Sequence, residues 1–116
     1  MTQLERWAKN NMASKELIES WKKTSAFLLD GRNHLSEAAE GICADEIAEF
    51  EDFLGHNELG LALDSLEAAV EKSGLESLKV VELMASAAAS MGLSDRTRRF
   101  DEYLSKTRGI PYTTKL

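Results

Sequence analysis

The sequence predicts an all-α fold, a single-domain bundle of about five helices with short loops and a non-helical C-terminal tail over about residues 107–116. Three observations predict it. The only proline is Pro111, so no residue before it forces a helix break. Ala, Leu, Glu and Ser are common while Val and Ile are scarce, which favours helix over strand. Apolar residues recur at steps of four, three and four, the spacing that keeps side chains on one face of a helix. A length of 116 residues suits one domain, and 43% hydrophobic with 29% charged residues is a globular composition.

Leu4 and Trp7 mark a short helical turn, with a break expected at Asn10-Asn11. Ser14 is placed to cap a first long helix over 14–30, with an apolar set at Leu17, Ile18, Trp21 and Leu28 and with Gly31 ending it. A second helical region covers 34–54 and is divided or kinked at Gly41. Its second half carries an apolar stripe of Cys43, Ile47, Phe50 and Leu54, with Asp45, Glu49 and Asp52 on the other side. Asn57 is the expected N-cap of the third helix, in which Leu59, Leu63, Leu66 and Val70 point inward and Asp64, Glu67 and Glu71 share a flank. Gly74 stops it. A fourth helix, 76–91, is Ala-rich and ends at Gly92. Ser94 caps a fifth, 95–106, with Phe100, Tyr103 and Leu104 inward and Arg96, Arg98 and Arg99 near the surface.

Reaction chemistry is not visible. His34 and His56 are far apart, and neither has a Glu three residues before it, as a di-iron bundle would require. There is no His-Glu-x-x-His, no cysteine pair and no glycine-rich phosphate loop, so no metal, cofactor or enzymatic activity is expected. Cys43 falls on a core stripe, where a free cysteine behaves as a small hydrophobe. A single cysteine fits a reducing compartment. The start, MTQLERWAKNNM, has no apolar run, and no stretch is long enough to span a bilayer. A cytoplasmic protein is expected.

Charge is the least random feature. Residues 1–32 carry a net +2, residues 33–71 a net −11 with no Lys or Arg, and residues 72–116 a net +3, which recovers the total of −6. Like charges at helical spacing, such as Asp45/Glu49 and Glu67/Glu71, cost a few tenths of a kcal/mol per pair, roughly. A concentrated negative field also draws a basic partner, raising association rates by roughly ten- to a thousand-fold at low salt. The candidate partner-binding residues are therefore Asp45, Glu49, Asp52, Asp64, Glu67 and Glu71.

The stretch FEDFLGHNELGLALDSL, Phe50 to Leu66, resembles bacterial polymorphic-toxin immunity proteins of the MafI-like, contact-dependent-inhibition type. The matching positions are His56, Asn57, Glu58, Gly60, Leu61, Ala62 and Leu63, following an acidic helix that contains aromatics. The resemblance covers 17 of 116 residues. It implies a small protein that neutralises a cognate toxin by tight binding. Such toxins are often nucleases, which are basic because they hold phosphates. Resemblance and charge thus agree on the sign of the partner.

Two other readings arise from the same chain. One is a structural or adaptor protein that self-associates through its Ala-rich fourth helix. The other is a DNA-binding regulator, since Ala88-x-x-x-Gly92 before a basic helix looks like a helix-turn-helix that would use Arg96, Arg98 and Arg99. Against it, the sixth residue after that glycine, usually apolar in the motif, is Arg98, and the chain as a whole is acidic. Neither a nucleic-acid nor a membrane partner is expected.

Overall fold

The computed structural model describes Gln3, Arg6, residues 14–74 and residues 77–115. The turn expected at Leu4 and Trp7 and the break at Asn10-Asn11 lie outside these residues. Six helices and no strand are present among the described residues: α1 Lys15–Asn33, α2 Glu37–Ile42, α3 Ala44–Gly55, α4 Leu59–Ser73, α5 Leu78–Ser90 and α6 Ser94–Arg108.

Ser14 caps α1 as its position predicts, its hydroxyl accepting from the Leu17 amide at 3.1 Å. Gly31 does not end α1. The helix continues to Asn33, because Gly31 is buried where α1 crosses α4 and α5. A Cβ there would sit 3.3 Å from Leu66 Cδ2 and 3.6 Å from Leu83 Cβ. The glycine is a packing residue, and a terminator and a contact point cannot be told apart by residue type alone.

The region predicted over 34–54 is two helices, and they divide at Cys43 rather than Gly41. Ser36 caps α2 by accepting from Ala39 N at 3.1 Å. Cys43 then leaves helical geometry (φ −116°, ψ 36°) while remaining fully buried, its thiol donating to Ala39 O at 2.6 Å. The corner is set by pulling Cys43 into the core, and burial pushes its thiol pKa up. Gly41 is an exposed helical residue with open space around it.

α3 and α4 form a helical hairpin. Ile47 and Phe50 of α3 face Leu59, Leu63 and Leu66 of α4, and all five are buried. Asn57 is not the N-cap of α4. It sits in the left-handed region (φ 56°) and closes α3, with Glu58 N donating to Phe53 O at 2.9 Å. Asn is the non-glycine residue that tolerates this conformation best, and the same tolerance makes Asn a common cap, hence the misplacement.

α5 is the central helix. Val80, Ala85, Ala87 and Ala88 are fully buried. Alanine's small side chain lets α1 and α6 approach α5 from two sides. At the α1–α5 crossing the hydroxyls of Thr24 and Ser90 meet at 2.6 Å, each also in reach of a carbonyl of its own helix. Gly92 (φ 73°) turns the chain into α6, and Leu93 N returns to Ala88 O at 2.9 Å. Ser94 is the first residue of α6 and makes no side-chain cap.

Phe100 and Leu104 of α6 are buried as predicted, whereas Tyr103 is 49% exposed. The inward stripe is narrower than the spacing suggests, since α6 packs on α5 alone along most of its length. The tail is non-helical and folds back on α6. Tyr112 N donates to Ser105 Oγ at 2.8 Å and Thr114 N to Asp101 Oδ2 at 3.0 Å. The Arg108 guanidinium lies 5.3 Å from the Tyr112 ring centre and pairs with Glu82.

Candidate protein-binding surface

The fold brings cations from both flanking segments onto the acidic block. Arg32, at the end of α1, reaches Glu40 at 2.9 Å and Glu51 at 3.6 Å. Lys72, in the last turn of α4, reaches Glu46 at 3.0 Å. Arg96 of α6 pairs with Asp64 at 2.6 Å and Glu67 at 3.2 Å, and Arg99 with Glu67 at 3.0 Å. Five of the eleven acids between residues 33 and 71 thus have a Lys or Arg partner, and every partner comes from outside the block. Segregation along the chain becomes compensation in space.

This corrects one premise about the six candidate residues. They do not form a surface free of cations. Asp64 and Glu67 are held by α6, and the Glu67 carboxylate is only 14% exposed. Asp45, Glu49 and Asp52 remain exposed at steps of four and three on the outer face of α3. Among the described residues Asp45 and Glu49 have no ion-pair partner. Asp52 has His56, Nδ1 to Oδ1 3.6 Å. Glu71 is exposed and likewise has no cationic partner among the described residues.

Electrostatics follow this pattern. The Lys72 ammonium holds the Glu46 carboxyl below its ordinary pKa, and Glu46, then Asp45, raise that of Lys72. At the end of α3 the His56 ring contacts Asp52 O at 2.8 Å. That carbonyl first, and the Asp52 carboxylate second, raise the His56 pKa above 6.5. A raised histidine adds stability below its unfolded pKa, and the contribution disappears as pH climbs through the folded value. Proton NMR of the His56 ring should therefore give a midpoint above 6.5, moving down in Asp52→Asn. A midpoint that does not move would remove the Asp52 carboxylate as a cause, since asparagine keeps the backbone carbonyl.

The fold also describes the surfaces on which the two rival readings rest. The Ala-rich helix is at the centre of the bundle, with Ala85, Ala87 and Ala88 at 0% exposure, so its small residues are not free to meet a second copy. The arginines of α6 are ion-paired, Arg96 and Arg99 with α4 acids and Arg98 with Asp95 at 3.0 Å, while Arg98 and Arg99 stay more than half exposed. The partners of these arginines were missed in the sequence, although one signal was present. Asp64 and Glu67 are three apart, as are Arg96 and Arg99, so two helices side by side can match them rung for rung.

Among the described residues no group of three or more His, Cys, Asp or Glu residues is placed to hold a metal ion, and no helix is long and apolar enough to cross a membrane. No family model, curated protein or solved structure matches the chain.

Proposed function

We propose that the chain is an immunity protein that binds and neutralises a cognate toxin domain of basic character, with the outer face of α3 steering the encounter. The supporting observation is that Asp45 and Glu49 stay exposed on one face with no Lys or Arg in ion-pair contact among the described residues, while Glu46, Glu51, Asp64 and Glu67 are paired. Unscreened like charges cost stability, and a binding surface gives them a use. The resemblance of Phe50–Leu66 to immunity proteins supplies the class of partner. In that stretch Phe50, Leu59, Ala62, Leu63 and Leu66 build the hairpin core, and Glu51, Asp52 and Leu61 face solvent.

The test asks whether a large secreted protein is encoded immediately upstream and pairs the chain with the C-terminal domain of that protein. Co-expression should protect cells from that domain. Asp45→Lys with Glu49→Lys should slow association at low salt by roughly ten-fold or more, with the difference shrinking as salt screens the field. Absence of protection, or equal association rates at low salt, would overturn the reading. Reversal at Asp64 and Glu67 is a poor substitute, since it would set lysines against Arg96 and Arg99 and damage the fold.

A further inference from the structure

α4 and α6 both pack on α5, and their ion pairs advance together along the chain, from Asp64–Arg96 to Glu67–Arg99. Asp64 faces Arg96 and Glu67 faces Arg99, each pair 32 residues apart in the chain. Carried one step on, the same offset sets Glu71 opposite residue 103, which is Tyr rather than Arg. The third rung of the ladder has its acid and lacks its cation. Beyond the second rung a groove of about 690 Å³ lies between the two helices, over α5. Val70, Leu78, Val81, Met84, Phe100 and Tyr103 give it an apolar lining, with Glu71 at its rim.

We propose that this groove is the anchor site for the basic partner: it takes an apolar side chain, aromatic or long aliphatic, whose neighbouring Lys or Arg pairs with Glu71 on the third rung. The partner's basic character rests on the immunity-protein reading, but the groove's preference is carried by its own charges. Arg99 is already on Glu67 at 3.0 Å and lies 5.4 Å from the Phe100 ring centre. Lys72 is drawn to the other flank of α4 by Glu46. Gly74 and Leu78 bring the C-terminal end of α4 and the N-terminal end of α5 to the same groove, so their opposite partial charges offset each other and the preference rests on Glu71. The local field therefore favours a cation and disfavours an acidic peptide. Met84 on the floor gives a flexible, polarizable contact that adapts to an incoming ring.

The probe is the tripeptide acetyl-Lys-Trp-Lys-amide, titrated into isotope-labelled full-length protein by NMR. Shifts are expected to concentrate on Val81, Met84, Phe100 and Tyr103. Acetyl-Glu-Trp-Glu-amide should bind at least about three-fold more weakly. Glu71→Gln should erase that preference. Tyr103→Arg, which supplies the missing cation from within, should weaken the lysine peptide by a similar factor. Thr107→Trp, filling the groove from its exposed rim, should abolish the shifts. Glu71, Tyr103 and Thr107 are all exposed, so these variants keep the fold, which circular dichroism checks. Shifts that fall on α3 instead, equal binding of the two peptides, or indifference to Glu71→Gln and Tyr103→Arg would each overturn the assignment. If the peptide fails while toxin protection persists, the groove is wrong and the immunity reading stands. If the peptide binds as expected and no protection is found, the reverse holds.

Discussion

Phe50→Ala should lower the stability of the protein by about 3–5 kcal/mol, the range for removing a buried aromatic ring. Phe50 is 1% exposed and is among the largest fully buried side chains. It lies midway along α3, where it holds the hairpin partner α4. Its loss removes apolar burial and leaves a cavity that neighbours on two rigid helices cannot close. Against a typical total of about 5–15 kcal/mol, such a change is a large share of the whole. Urea denaturation monitored by circular dichroism checks it, and the midpoint should fall with little change in slope. A cost under about 1 kcal/mol would mean that α3 does not pack on α4 through this ring. The result also separates scaffold from contact in the stretch that resembles immunity proteins. Phe50 should matter for folding, and its neighbours Glu49 and Asp52 for association.

Gly31→Leu should be nearly as damaging, by about 2–3 kcal/mol or more, through overpacking rather than cavity formation. The site has Leu66 of α4 at 3.3 Å and Leu83 of α5 at 3.6 Å from the position of a Cβ, before any further atom is added. Three helices meet there, so relief requires moving a helix and not one rotamer. Gly31→Ala is the informative control. Alanine gains roughly 1 kcal/mol of helix propensity over glycine and must displace Leu66 Cδ2 by a few tenths of an ångström. The two effects are opposed and similar, so Ala should be close to neutral while Leu is not. If thermal melts show Leu tolerated as well as Ala, α1 does not cross α4 and α5 this closely.

The parts of the fold that were legible in the sequence are those governed by short-range pattern. The stripes on α3 and α4, the Ser14 cap and the stops at Gly74 and Gly92 all follow from spacing and residue type within about one turn. The parts that were not legible depend on partners far along the chain. Gly31 reads as a stop until Leu66 and Leu83 are placed against it. Asn57 has the chemistry of a cap and of a left-handed turn, and the path of the chain decides which. Tyr103 has inward spacing, yet α6 has a neighbour on one side only, so the ring is left on a shoulder. The candidate surface divides in the same way. Exposure of Asp45, Glu49 and Asp52 follows from their place opposite the apolar stripe. Neutralisation of Asp64 and Glu67 required knowing that arginines of α6, 32 residues on, reach across to α4.

Cys43 has a practical consequence. The chain's one thiol is sealed at the corner between α2 and α3, bonded to Ala39 O and with its ionisation suppressed by burial. A thiol-reactive dye can reach it only when that corner comes apart, so labelling kinetics count local openings of the hairpin's entrance with no engineered reporter. If the toxin clamps α3, the same dye times its residence there.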